Sequence, residues 1–330
     1  MSIKKYNFAM KNILTLLIVL FFVSYCFIAR GQCWKHLRQD LTSLTPDNRQ
    51  ELLDYFHSLP KETRVNAWKI LFTANVPASI RTNSGFLSKL DELSSLGFSS
   101  VELNKVASAV KHLSQKYSDD VFTLKVSEDI VTAMKNAKNQ GFDNFGVNIN
   151  LGSAFDDLFS SSHFKNSKAE IENLSAQLRI TSNSNPGYIE QVNEGLARMN
   201  SSPPHNVYIE SSIKQGDIVD EFLEEAIQLK ALTSTGTGKP SQRLTSAVNQ
   251  FTTEVPPVGY KKIAEVRVLN PSNPVYNYSL TELKNYLQTG VNNLSPNNLA
   301  NYQSMDKLRI KTGLGIKDFK VDGNGIVIEL

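Results

Sequence analysis

Hydrophobic residues in the first half of the chain recur at the three- and four-residue spacings of amphipathic helices. Leu52 and Phe56 follow a cap-like Thr45 and a proline, Pro46, at the first helical position. Further helical stripes follow at residues 65–72, 87–96 and 101–113. This pattern predicts a helical domain over residues 32–117, with the apolar stripe of each helix turned into a shared core.

The second half of the chain changes to a mixture of helical and strand-like patterns. Helical stripes are predicted near residues 171–178, 189–196, 242–251 and 286–294, and strands at 206–210, 216–220, 225–232 and 262–269. These elements predict an α/β domain over residues 166–330, with a central mixed sheet flanked by helices, so the chain as a whole is α+β. Residues 118–165, rich in Ser, Asn, Asp and Gly, are expected to be a linker or boundary region.

Residues 1–31 have the pattern of a secretory signal peptide. Three lysines precede an apolar run at residues 13–29, and the small residues Ala29 and Gly31 fit cleavage before Gln32. We therefore expect a secreted or cell-envelope protein with no stable membrane association after cleavage. The alternative is an uncleaved membrane anchor, because the apolar run is nearly long enough to span a bilayer.

Composition narrows the class of protein. The chain has 330 residues, of which 41% are hydrophobic and 20% charged, so wholesale disorder is excluded. Of its two cysteines only Cys33 remains after cleavage, which excludes an internal disulfide. The net charge of +3 becomes −1 without residues 1–31, because that segment holds four basic residues and no acid. A near-neutral chain lacks the global basic field of a nucleic-acid coat, but it can still carry a local basic groove.

The candidate chemistry lies in the unit GDIVD at residues 216–220 and the unit AIQLK at residues 226–230. Residues two apart on a strand share a face, so Gln228 and Lys230 project together. If the two segments pair as a hairpin, Asp217 or Asp220 lies near Lys230. Carboxylate and amide oxygens hold Mg²⁺, which activates water for attack on a phosphate, and a lysine beside it stabilises the transition state.

This arrangement resembles the PD-(D/E)XK nuclease superfamily, and in particular the nuclease domains of exported bacterial toxins. The resemblance implies a restriction-endonuclease-like fold in which Asp217, Gln228 and Lys230 are catalytic. Gly216 stands where the superfamily usually has proline. Gln228 stands at the Asp or Glu position, which removes one formal charge from the metal site.

The same resemblance implies a cofactor, Mg²⁺ or Mn²⁺, and contacts to nucleic acid. The implied metal ligands are Asp217 and Gln228, completed by Asp220, Glu190 or Glu194. The helix after the lysine strand, with the loop before it, is expected to contact the nucleic-acid backbone through Lys239, Gln242, Arg243 and Gln250.

The helical first half carries a second resemblance, to a segment found upstream of toxin modules in bacterial polymorphic toxins. It is carried by Ala67-Trp68-Lys69, by Arg81 and Asn83, and by the leucine-rich stretch 87–93. It implies that residues 32–117 are a spacer or presentation domain without chemistry of their own.

The expected function is that of an exported toxin-like protein with a metal-dependent nuclease domain. By analogy with the superfamily, DNA is favoured over RNA as the substrate, and an immunity protein is a possible further partner. The alternative is a secreted, non-enzymatic interaction protein that keeps the fold as a degenerate scaffold. Other reaction classes lack their motifs: the five histidines show no paired metal spacing, and the sequence has no GxSxG.

Overall fold

The structure, a computed structural model, describes residues 34–180 and 185–330. The expected signal peptide and its cleavage site before Gln32 lie outside the described residues. No helix in the described part of the chain is long and apolar enough to cross a membrane. The described chain is α+β, as predicted: helices form its first half, and a seven-stranded mixed sheet with flanking helices forms its second.

Ten α-helices precede the first strand within the described residues. They are α1 (34–43), α2 (Pro46–Ser58), α3 (Asn66–Thr73), α4 (Ala78–Arg81), α5 (Ser84–Ser95), α6 (Ser100–Tyr117), α7 (Asp120–Asn139), α8 (Leu151–Ser160), α9 (Lys168–Arg179) and α10 (Asn185–Met199). Thr45 caps α2 by accepting the N–H of Asn48, with Pro46 at the first helical position. Two capping boxes, Ser99 with Glu102 and Ser167 with Glu170, begin α6 and α9.

Residues 118–165, expected to be a linker or boundary region, contain α7 and α8. Both helices are part of the main hydrophobic core. α8 packs closely on α6: a Cβ atom at Gly152 would lie 2.5 Å from Cγ2 of Val106 and 3.0 Å from its backbone nitrogen. The Asn- and Gly-rich bias belongs to the end of α7 and to the turn after it, where Gly141 and Gly146 adopt positive φ. The bias therefore marks one turn, and not the whole stretch.

The sheet has its strands in chain order. They are β1 (Val207–Ser211), β2 (Gly216–Asp220), β3 (Glu225–Leu232), β4 (Lys261–Val268), β5 (Lys307–Thr312), β6 (Gly315–Val321) and β7 (Val327–Glu329). β1, β2 and β3 form an antiparallel meander, β4 and β5 run parallel to β3, and β6 and β7 return antiparallel. The parallel strands need crossover connections. These are α11 (Lys239–Gln250) between β3 and β4, and α12 (Leu280–Asn292) with α13 (Pro296–Gln303) between β4 and β5.

The sheet separates two hydrophobic cores. On one face, Ile227, Leu229 and Ile263 join a core that includes α10 and reaches back through the helical half of the chain. On the other face, Ala226 and Ala264 pack with α11, α12 and α13. Because side chains alternate along a strand, this division decides which polar residues of β2 and β3 can meet.

The close approach of α8 to α6 gives the first testable prediction. Gly152→Ala should lower the free energy of unfolding by up to about 2 kcal/mol, because overpacking typically costs about 1–3 kcal/mol and two of the close contacts are with the Val106 backbone. Alanine recovers about 1 kcal/mol of helix propensity at most. The measurement is urea unfolding, with Gly187→Ala in α10 as the control, since its added Cβ would meet its nearest atom at an ordinary 3.7 Å. Equal stability of the two variants would contradict the packing described.

Candidate active site

Asp217 and Lys230 meet on the face of the sheet that α11 covers. Oδ2 of Asp217 lies 3.0 Å from Nζ of Lys230 and also accepts the backbone N–H of Leu229 at 2.7 Å. The carboxylate thus takes a position that a strand partner's carbonyl normally fills, beyond the last regular pair, Ile218 with Ile227. The Asp217 side chain is 2% exposed and that of Lys230 is 22% exposed. The ammonium therefore lies at the edge of a buried site.

Gln228 projects on the same face as Lys230, as the strand period predicts, and is fully buried. Its Nε2 donates to Glu254 at 2.8 Å, and Nε2 of Gln250 donates to the other oxygen of the same carboxylate at 2.9 Å. Oε1 of Gln228 is buried and has no hydrogen-bond partner among the described residues. Glu254, which follows the end of α11, is thus a carboxylate of the site that the sequence did not reveal.

Glu210 is a third carboxylate of the site. The pairs on either side of it place Glu210 opposite Asp217 across β1 and β2. Its φ of +52° is unusual for any residue except glycine, and such backbone strain concentrates at functional sites. Burial and the charge of Asp217 raise the pKa of Glu210 to about 8. Burial also raises the pKa of Asp217, although Lys230 opposes the rise.

The N-terminal part of α10 closes the site from the other side. Gln191 donates weakly to the carbonyl of Leu229 at 3.5 Å, while its Oε1 is buried without a partner among the described residues. Burial, with the nearby charges of Glu210 and Asp217, raises the pKa of Tyr188 to about 12. The hydroxyl of Tyr188 is therefore a neutral group at physiological pH.

The site contains more acceptors than donors. Three carboxyl groups, those of Glu210, Asp217 and Glu254, lie near one ammonium group, that of Lys230, and two buried amide oxygens have no donor among the described residues. No set of three or more His, Cys, Asp or Glu side chains within the described residues is arranged to hold a metal ion by itself. A cation bound here would need amide oxygens, water or substrate oxygens as additional ligands.

Comparisons of the chain with protein-family models, with curated proteins and with solved structures gave no match. The functional interpretation therefore depends on the residues and geometry of this site.

The structure does not place Asp220 in the site. Asp220 is three residues from Asp217 on the same strand, so the two side chains point to opposite faces of the sheet. Asp220 accepts a hydrogen bond from Arg198 at 2.8 Å and lies 2.7 Å from Nδ1 of His205. It is fully buried in these contacts, which corrects its expected role as a metal ligand.

Glu190 and Glu194 are also directed away from Asp217. Both bind Arg267 of β4, at 2.7 Å and 2.6 Å, and Glu265 binds the same guanidinium at 2.6 Å. These contacts form an ion network between α10 and its face of the sheet. The expectation that a glutamate of this helix completes the metal shell is corrected, since Tyr188 and Gln191 are the α10 residues that approach the site.

Two cavities beside the site contain all the residues expected to contact nucleic acid. The first, of about 220 Å³, is lined by Lys230, Arg243 and Gln250. The second, of about 400 Å³, is lined by Lys239, Gln242 and Arg243. The predicted binding residues thus lie next to the Asp217–Lys230 pair, along one side of α11.

Four residues of the site were not predicted from the sequence: Tyr188, Gln191, Glu210 and Glu254. Tyr188 and Gln191 are three residues apart on a predicted helix, so they share a face, but nothing in the sequence shows that this face meets Lys230. Glu254 follows Gln250 by four residues, and residues four apart lie side by side on a helix, so this spacing is a signal for Glu254. Glu210 ended a predicted strand, and its position depends on a backbone conformation that sequence does not reveal.

The raised pKa of Glu210 predicts a pH-dependent gain in stability on its removal. A carboxyl group whose pKa is about 8 when folded, against an ordinary 4.5, favours folding while protonated. This contribution is present at low pH and is lost as the pH rises towards 8. Glu210→Gln should therefore be more stable than the wild type at pH 8 in EDTA, by roughly 1 kcal/mol or more, and the gain should disappear near pH 4.

The measurement is thermal or urea unfolding at both pH values. Glu329→Gln is the control, because Glu329 is exposed on the edge strand β7. A loss of stability at pH 8, or a difference independent of pH, would contradict the described environment of Glu210.

Proposed function

We propose that this protein is an exported, toxin-like nuclease that hydrolyses phosphodiester bonds with a divalent metal ion, with DNA favoured over RNA. The observation that carries the proposal is the contact between Asp217 and Lys230 on the β2–β3 hairpin, in a buried pocket with an excess of acceptors. Asp217, Gln228 and Lys230 are the proposed catalytic residues.

The order of elements around the site supports the proposal. The sequence α10–β1–β2–β3–α11–β4 carries the aspartate on its second strand and the Gln-x-Lys on its third. The resemblance to the PD-(D/E)XK superfamily implies a helix before the strands, the lysine strand, a second helix and a further strand in this order. The restriction-endonuclease-like fold is thus part of the proposal.

The residues present fit a divalent cation, Mg²⁺ or Mn²⁺. Mg²⁺ is usually held by one or two carboxylates together with water and substrate oxygens. The carboxylate of Asp217 and the partnerless Oε1 of Gln228 would be the first ligands. Glu254 holds the amide nitrogen of Gln228 and supplies the negative charge that a glutamine at this position lacks. When bound, the cation would supply Lewis-acid stabilisation of the charge that develops at the scissile phosphate.

The chain's own groups then position the substrate and the ammonium. Asp217 is held by the N–H of Leu229 and by Gln250, so it keeps Lys230 in one orientation. The partly exposed Nζ of Lys230 lies in the wall of the first cavity, where it can donate to an oxygen of the scissile phosphate. An ammonium group fixed in this way stabilises the transition state more than it stabilises the bound substrate, because the negative charge on the phosphate increases during the reaction.

The pattern of residues 1–31 supports export. The helical half of the chain would serve as a spacer that presents the nuclease-like domain. After cleavage the protein would be secreted or retained in the cell envelope. Its partners would be the nucleic acid substrate and, if it is a toxin, an immunity protein.

A second candidate is a secreted interaction protein on a degenerate nuclease scaffold. One observation favours it: glutamines, Gln228 and Gln191, stand at the two positions of the site where a carboxylate would be the stronger metal ligand. Under this candidate the cavities would bind without cleavage.

Cleavage assays distinguish the two candidates. We expect the chain without its first 31 residues to cleave DNA, and RNA more slowly, with Mg²⁺ or Mn²⁺ but not in EDTA. Lys230→Met and Asp217→Asn should each lower the rate roughly a hundredfold or more, as for other losses of preorganised charge. Lys320→Met is the matched control, because Lys320 is a strand lysine of the same sheet, on β6, away from the site.

Circular dichroism would show that the variants remain folded. Absence of cleavage by the wild type with every divalent metal would contradict the nuclease and leave the second candidate. Cleavage by Lys230→Met at the wild-type rate would show that the catalytic site lies elsewhere.

A further inference from the structure

The two cavities beside Lys230 lie side by side along α11, and we treat them together as one recess. The first has Tyr188, Lys230 and Arg243 in its wall, and the second has Arg243 and Lys239. Arg243 and Ser246 line both cavities, so the two are adjacent. We refer to this recess, defined by Tyr188, Lys230, Lys239, Arg243 and Ser246, as the α11 channel.

The cations of the α11 channel are poorly neutralised by the described residues. Lys230 has a carboxylate partner, Asp217. Lys239 donates to the neutral amide oxygen of Gln242 at 3.2 Å, and Arg243 has no hydrogen bond or ion pair with a described residue. Lys239 and Arg243 lie one helical turn apart, about 6 Å along α11, which is comparable with the separation of neighbouring phosphates on a strand. This charge pattern fits a chain of phosphates.

The size of the α11 channel fits a single strand. The cavities measure about 220 Å³ and about 400 Å³, and together they fall within the usual range of ligand pockets. A recess of this size fits a nucleotide or two of one strand better than it fits a duplex, whose second strand lies across the base pairs from the first.

Tyr188 is the residue of the α11 channel against which we place an unpaired base. It is the aromatic residue in the wall of the first cavity, and it packs against the core beneath α10 while remaining partly exposed. Its hydroxyl makes no hydrogen bond with a described residue. Stacking on an aromatic ring requires an unpaired base and tolerates any base, since every base has a π face.

We infer that the substrate is an unpaired polynucleotide strand that lies along the α11 channel, with a base against Tyr188 and the phosphate next to the scissile one at Arg243. The inference rests on the proposed function, because it takes the scissile phosphate to lie at Lys230. Tyr188 and Arg243 act here as binding residues and do not touch the bond that breaks.

Fluorescence anisotropy with the chain lacking its first 31 residues tests this inference. The probe is a labelled DNA strand of about 12 nucleotides, single or in a duplex, in EDTA so that no strand is cut. The single strand should bind roughly tenfold or more tightly than the duplex. Tyr188→Leu and Arg243→Gln should each weaken single-strand binding roughly tenfold, whereas Tyr188→Phe retains the ring and should bind as the wild type does.

Arg38→Gln, which changes an exposed arginine on α1, is the control for loss of charge and should leave binding unchanged. Ser246→Glu is a further variant on an exposed position of α11 and should weaken binding by placing a negative charge in the shared wall. Thermal melting identifies any variant that does not fold. If the Tyr188 or Arg243 variant does not fold, binding by the Ser246→Glu variant tests the inference.

Equal affinity for the single strand and the duplex would overturn the inference, as would wild-type binding by the Tyr188→Leu, Arg243→Gln and Ser246→Glu variants. Addition of Mg²⁺ to the same oligonucleotides separates this inference from the proposed function. If the variants bind as expected but nothing is cleaved, the proposed nuclease function is contradicted. If a duplex is cleaved and binds as tightly as the single strand, the inference of an unpaired substrate strand is contradicted.

Discussion

The carboxylate of Asp217 is the contact on which the candidate site depends. It accepts the N–H of Leu229 and the ammonium of Lys230 through one oxygen, so it joins the backbone of β3 to the side chain beside it. A buried carboxylate needs such partners, because leaving it unpaired in the sheet would cost several kcal/mol. The aspartate therefore holds Lys230 in a fixed position and interrupts the regular pairing of β2 with β3. Both effects create the pocket in which Gln228, Glu210 and Glu254 meet.

The two faces of the sheet use charge in different ways. On the α10 face, Asp220, Glu190 and Glu194 each pair with a guanidinium group, that of Arg198 or Arg267. Networks of this kind fix the packing of a helix on a sheet, and the loss of one member leaves an uncompensated buried charge. On the α11 face, Lys230 pairs with Asp217, whereas Lys239 and Arg243 in the adjacent cavities have no carboxylate partner among the described residues. The chemistry of the protein is thus expected on the α11 face.

The two-residue period of strands predicted much of the candidate site. The predicted limits of β2 and β3 coincide with the observed strands, Gly216–Asp220 and Glu225–Leu232, and the shared face of Gln228 and Lys230 follows from the same rule. That rule also excludes Asp220 from the site. The choice among the polar residues of α10 could not be predicted, because the rotation of a helix about its axis is set by packing. Helices α7 and α8 were not predicted, because the Ser-, Asn-, Asp- and Gly-rich composition of residues 118–165 indicates a boundary region.

We propose that the pocket around Asp217 binds a divalent cation through Gln228. Anomalous diffraction from crystals of the protein soaked in Mn²⁺ tests this proposal, because it locates the metal without relying on activity. A manganese peak is expected within coordination distance of a carboxylate oxygen of Asp217 and of Oε1 of Gln228. A fully soaked crystal with manganese at other positions and none beside Asp217 would contradict it.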